Sequence, residues 1–174
     1  WRGWWDFGTG ALGDMGCHSF DPAFRALKLD HPTSVEAMST GVNTESYPLA
    51  SMVRYEFPAR GDMPAVSITW YDGGMRPPRP RELEPGLPMG KSENGLLFVG
   101  DDGIIMTNVG GRKPRLVPES LMGSYSMPPE TLPRSSGHVA EWVQACKGGA
   151  AAGSNFDFAS RLTETVLLGC LALR

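Results

Sequence analysis

Ser51-Met52-Val53-Arg54-Tyr55-Glu56-Phe57 and, shortly after it, Ala65-Val66-Ser67-Ile68-Thr69-Trp70-Tyr71 decide how this chain folds. In the first stretch Val53, Tyr55 and Phe57 fall on one side and Arg54 and Glu56 on the other. In the second, Val66, Ile68 and Trp70 align. A period of two is the mark of a strand with one face buried and one face open. Working outward, Thr33 to Thr40 is moderately extended in character. Leu96 to Val99 and Ile104 to Thr107 flank Gly100-Asp101-Asp102-Gly103, a hairpin turn. Arg115-Leu116-Val117 adds a short edge strand.

Helical periodicity brackets this series. Residues 10 to 29 place Ala11, Leu12, Met15, Ala23, Ala26 and Leu27 on one side and Asp14, His18, Asp21 and Arg25 on the other. Pro22 predicts either a kink or a second helix, with Asp21 as cap and Pro22 in the first turn. Gly137 to Lys147 carries Val139, Trp142, Val143 and Cys146 on one face and ends at Gly148-Gly149. Phe156 to Leu173 aligns Phe158, Leu162, Thr165, Val166, Gly169 and Leu173. The order helix, strands, helices predicts an α+β fold: an open, mainly antiparallel β-sheet with helices packed on one face. Strands and helices do not alternate, which argues against a doubly wound sheet.

Five prolines between Gly73 and Gly90 forbid regular structure there. A loop of that length is functional or mobile, and a lid, a pocket wall or an arm gripping another subunit are the roles considered for it. A second proline-rich stretch covers Pro118 to Pro133. The net charge of −3 and the scattered basic residues argue against nucleic acid as a partner. The longest apolar run, Val166 to Leu173, is too short to span a bilayer, so no membrane partner is expected. Cys17, Cys146 and Cys170 form no CxxC pair and read as free thiols, which leaves the compartment open.

Chemistry concentrates at the opening, Trp1-Arg2-Gly3-Trp4-Trp5-Asp6-Phe7-Gly8-Thr9-Gly10-Ala11-Leu12-Gly13-Asp14-Met15-Gly16-Cys17-His18-Ser19-Phe20-Asp21. On a helix Asp14, His18 and Asp21 share a face. His18 is the best acid/base candidate because imidazole titrates near neutral pH. Asp14, one turn earlier, is placed to orient it or to bind a substrate hydroxyl. Gly13 and Gly16 leave room for a substrate or cofactor to come close. Trp4 and Trp5 are suited to stacking on a sugar ring. Spacing alone favours a structural role for the Asp–His pair, and no metal site is expected because further ligands are not in sight. A chain that begins within its chemistry is expected to be a piece of a longer protein. His31, His138 and Asp72 read as loop, helix-end and turn residues.

The string Asp14-x-Gly16-x-His18-x-x-Asp21, with Gly8, Gly10 and Gly13 before it, resembles the signature of the Gfo/Idh/MocA oxidoreductases, in the branch found in planctomycetes and Bacteroidetes. The resemblance implies that residues 1–174 are the C-terminal substrate and oligomerisation domain of a two-domain enzyme. It further implies an NAD- or NADP-binding Rossmann domain, with an active-site lysine, outside this chain. No cofactor is expected in this piece by itself, and its cofactor-binding residues stay unknown.

His18 and Asp14 would then be catalytic, and Trp5, Asp6 and Asp21 substrate-binding. The activity implied is hydride transfer to or from a sugar, polyol or related alcohol. The alternatives are an NAD-recycling glycoside-cleaving enzyme of the same fold and a non-catalytic oligomerisation or binding domain. The expected partners are a small carbohydrate-like substrate and further copies of the protein, joined through the open sheet face.

Overall fold

A computed structural model describes residues 1–89 and 94–174. In chain order the elements are α1 (Gly10–Ala26), β1 (Ser34–Ser39), β2 (Ser51–Phe57), β3 (Val66–Tyr71), β4 (Gly95–Val99), β5 (Ile104–Asn108), β6 (Arg115–Val117), α2 (His138–Cys146) and α3 (Phe156–Leu173). Short 3₁₀ turns sit at Val109–Gly111 and Glu119–Gly123. The fold is α+β, and all of its strand pairs are antiparallel. The strands form two small open sheets, β1-β2-β3 and β4-β5-β6, where the sequence pattern suggested one. The break falls at the proline-rich loop, whose prolines lack the N–H groups a ladder needs. The last residue of that loop, Gly90, lies outside the described residues.

β2 is the centre of the first sheet, and its alternation is the expected one: Ser51, Val53, Tyr55 and Phe57 are buried. Val53 pairs with Trp70, Tyr55 with Ile68 and Phe57 with Val66, so the apolar residues of β3 join the same face. Asp72, just after β3, stitches the sheet's end. Its carboxylate accepts from the Ser51 backbone N–H at 2.5 Å, the Ser51 hydroxyl at 2.7 Å and the Trp70 indole at 2.8 Å.

Helix α1 lies on this face, and its buried stripe is Leu12, Gly16, Phe20, Ala23 and Phe24. The sequence pattern had placed Ala11 and Ala26 on that stripe, but both are exposed. The rotation has a physical reason: a buried phenylalanine removes far more apolar surface from water than an alanine does. Phe20 meets Tyr55 and Trp70 edge-on at 5.4 and 6.1 Å, and Phe24 meets Phe57 edge-on at 5.9 Å. The helix continues through Pro22 as one element, neither ending nor restarting there. Proline supplies no N–H to the carbonyl four residues back, which is that of His18.

Helix α3 packs beside α1 and buries Leu162, Thr165, Val166, Gly169, Cys170 and Leu173. Its first turn is capped by Asn155, whose side chain accepts from the Asp157 and Phe158 N–H groups. The two helices approach through glycines. A Cβ on Gly16 would sit 3.0 Å from Val166, and one on Gly169 would sit 1.9 Å from the Tyr55 hydroxyl.

The second sheet has its own small core of Leu83, Ile104, Met106 and Val117. Leu83 belongs to the proline-rich loop, which therefore covers one face of this sheet. Arg79 holds the loop's shape by donating to the carbonyls of Leu83, Glu84 and Leu87. The Glu84 carboxylate accepts the backbone N–H groups of Glu119 and Ser120, both at 3.1 Å. Leu96 and Phe98 of β4 pack against the first core and join the two halves.

Helix α2 buries none of its residues, and Val139 and Trp142 of its apolar stripe are exposed. It is tied down by Glu141, which accepts from Ser135 and from the Gly153 N–H at 2.9 Å.

Candidate functional site

The site is built on the exposed side of α1. Asp14 and His18 are both exposed there, one helical turn apart. The segment before the helix folds back on it. The Gly10 N–H donates to the Arg2 carbonyl at 3.1 Å, and the Gly8 N–H to the Trp4 carbonyl at 2.9 Å. A Cβ on Gly8 would lie 2.4 Å from that Arg2 carbonyl oxygen, so only glycine allows the turn.

A second partner for the opening is the segment 43–47. Trp5 N–H donates to Glu45 and Tyr47 N–H to Gly3, at 2.9 and 2.8 Å. The Asn43 side chain closes its own turn by accepting from Glu45 and Ser46. Sequence reasoning missed this segment. Its turn residue, Asn43, was legible, but the pairing spans about forty positions and no local pattern reports it.

The fold-back brings Arg2 onto Asp14: the guanidinium Nη1 donates to Oδ2 at 2.6 Å. Among the described residues no hydrogen bond joins Asp14 to His18. The His18 imidazole has no hydrogen-bonding or ionic partner there. Asp21 is half-buried and receives the Arg25 Nε at 3.1 Å. Arg25 in turn donates to the Gly153 carbonyl at 2.9 Å and lies 3.9 Å from the centre of the Phe158 ring. Asp6 is exposed, with no side-chain partner among the described residues.

Trp5 lies against Tyr47 with ring centres 3.6 Å apart and donates its indole N–H to the Asn43 carbonyl at 3.1 Å. Trp4 and Trp1 are more open to solvent than Trp5. The expected roles thus fall into two groups. Asp14, His18 and Asp6 stand at the exposed surface, whereas Trp5 and Asp21 already hold neighbours of their own chain.

The space beside Gly10, Gly13 and Gly16 is filled by the chain's own atoms. A Cβ on Gly10 would meet the Tyr47 ring at 2.6 Å and one on Gly13 would meet the Thr9 side chain at 2.1 Å. Gly16 is buried against α3. These positions therefore serve packing and do not offer the open approach that the sequence suggested for Gly13 and Gly16. They do not form a pyrophosphate cradle, which needs backbone N–H groups free at a strand-to-helix turn. Among the described residues no three His, Cys, Asp or Glu side chains gather as a metal would require, and no helix is long and apolar enough to cross a membrane.

Beneath the surface the site rests on a low-polarity floor. Burial pushes the Tyr47 phenol up to about 12, helped by the neighbouring Cys170 thiol. Burial also pushes up the Tyr55 phenol and the Cys170 thiol, and Cys170 donates to the Thr9 carbonyl at 3.4 Å. These groups stay neutral near pH 7 and anchor the start of α1 to α3. Two surface hollows, one along α2 and one between Phe24, Leu29 and the start of α3, do not touch Asp14 or His18.

No curated protein matches the chain. Residues 1–57 match a family model described as the C-terminal alpha/beta domain of the oxidoreductase family Gfo/Idh/MocA. The matched stretch contains the folded-back opening, α1, β1 and β2, and so both Asp14 and His18. Over residues 1–57 the chain is therefore similar to the C-terminal alpha/beta domain of the Gfo/Idh/MocA oxidoreductases.

Proposed function

We propose that this chain is the substrate-binding and catalytic half of an NAD(P)-dependent oxidoreductase that acts on a sugar, polyol or related alcohol. The observation that carries the reading is an unpaired imidazole, His18, on an exposed helix face one turn from a carboxylate, within the stretch that matches an oxidoreductase domain. The nicotinamide group, when bound, supplies the hydride chemistry. Gly8, Gly10 and Gly13 do not cradle its dinucleotide, because a Cβ at each would already meet the chain's own atoms. Its binding is assigned to a separate domain of the whole protein.

What this chain's residues do follows from their chemistry. His18 has a free ring nitrogen to take the proton of a substrate hydroxyl, or to return it in the reverse direction. Asp14 accepts from Arg2 through Oδ2, which leaves Oδ1 to accept from a substrate hydroxyl and fix its position. Asp6, Asp21 and Trp5 complete the substrate-binding set, Asp6 with both oxygens open to hydroxyls.

Assembly is proposed to use the outer face of the first sheet. Met38, Met52 and Tyr71 form one cross-strand row on that face, beside a polar row of Glu36, Arg54 and Thr69.

The test is a screen of the whole protein with NAD and NADP against aldoses, polyols and sugar acids, followed by NADH or NADPH absorbance. Turnover of one of these classes is expected. Release of p-nitrophenol from p-nitrophenyl glycosides with no net cofactor change would replace the dehydrogenase reading with glycoside cleavage. Inertness in both assays would leave a scaffold and contradict the proposal.

A further inference from the structure

We infer that Arg2 is a positioning residue for this site: it decides which partner Asp14 has, and by holding that carboxylate it keeps His18 free. The inference rests on the proposed function for the use made of His18, but the pairing itself is geometric.

An Asp and a His four apart on a helix are close enough to pair with each other. Here they do not. The Arg2 Nη1 lies 2.6 Å from Asp14 Oδ2, and no hydrogen bond joins Asp14 to His18 among the described residues. The Arg2 backbone is fixed independently of that ion pair. Its carbonyl accepts the Gly10 N–H, and it lies so near Gly8 that any Cβ there would clash. The neighbouring Gly3 and Trp5 are pinned to Tyr47 and Glu45. The guanidinium is thus delivered to Asp14 by a built turn.

The consequence is a division of labour along one helix face. Asp14 stays an acceptor with one oxygen committed and one open. His18 keeps both ring nitrogens without a partner among the described residues and remains available to a substrate proton. Without Arg2, the nearest side-chain nitrogen for Asp14 along α1 is that of the imidazole. The carboxylate would then occupy His18 with a hydrogen bond that a substrate must displace.

Carbethoxylation of His18 by diethyl pyrocarbonate reads this directly, because the reagent needs a free, unprotonated ring nitrogen. The whole protein is labelled and the modified peptides are quantified by mass spectrometry, with His31 and His138 as internal references. Asp14→Asn alone is expected to leave His18 labelling unchanged relative to the references. Arg2→Gln is expected to slow it about twofold, the size of one exposed i,i+4 pair. Adding Asp14→Asn to Arg2→Gln restores the original rate. Arg2→Lys, which keeps a cation at a contact made by a single nitrogen, labels like the wild type and guards against a merely disordered opening.

Two results overturn the inference. One is an equal response of His18 to Asp14→Asn with and without Arg2. The other is no response of His18 to Arg2→Gln. Labelling tests the pairing whatever the protein turns over, so an inert protein with the expected labelling would sink only the proposed function.

Discussion

The β1-β2-β3 sheet is covered by two helices, and the β4-β5-β6 sheet by an irregular loop that carries one buried leucine. In the first, aromatic rings from α1 lock edge-on into β2 and β3, and glycines let α3 come close. In the second, Leu83 does the covering, and polar bonds from Arg79 and Glu84 hold the loop in place of helical hydrogen bonds. A helix satisfies its own backbone, so it needs only an apolar stripe. A proline-rich segment cannot do that, and its carbonyls and N–H partners must be met by side chains. The proposed site stands on the half that is covered by helices.

The comparison is broken most strongly at Phe20. Phe20→Ala is expected to cost about 3–5 kcal/mol, a large part of an ordinary domain's stability. Urea unfolding measures it, and a loss of under 1 kcal/mol would mean that the first core is not the foundation. Leu83→Ala is expected to cost less, about 2–3 kcal/mol, and to act locally. Hydrogen exchange should quicken in β5 and β6 while β2 stays protected.

Tyr55 sharpens the contrast from the other side, because its buried hydroxyl has no partner among the described residues. Tyr55→Phe is expected to keep the fold and raise stability by about 1 kcal/mol. Since burial raises the Tyr55 and Tyr47 phenols, the folded state favours their neutral forms. Their contribution to stability is complete below the ordinary phenol value of about 10. It is lost as pH rises through that value toward the folded one, near 12 for Tyr47. Tyr55→Phe should flatten that alkaline decline, and an unchanged decline would contradict the assignment.

The smallest effect is at Glu84. Its carboxyl is held below the ordinary value by hydrogen bonds from backbone N–H groups, first its own and then those of Ser120 and Glu119. The folded value is depressed, so the contribution is present above the ordinary carboxyl range and is lost as pH falls through the folded value. Glu84→Gln should lower stability slightly at pH 7, and the difference should vanish in acid.

Much of this was legible in the chain's periodicities. β2 and β3 stand where the alternation places them, and the hairpin strands where the Gly100-Asp101-Asp102-Gly103 turn places them, because these signals are local. The stripe of α3 was legible for the same reason. The stripe of α1 was misplaced, since the pattern took in Ala11 and Ala26 and left out Phe20 and Phe24, which turn the helix toward β2.

That the sheet divides into two, and that a proline-rich loop covers the second, was not legible. The covering depends on contacts between Leu83 and strands far along the chain. At the site, Asp14 and His18 were placed on one face from spacing alone. The Arg2 pairing was not visible, because it comes from a turn that closes through Gly8 and Gly10 and against residues 43–47.

The most direct measurement is turnover of the His18→Ala variant of the whole protein on the substrate class found by the screen, with and without added imidazole. A fall of about 10²–10⁴-fold that imidazole partly restores, while His31→Ala stays near wild type, is the predicted result. Unaltered turnover in His18→Ala would contradict the account.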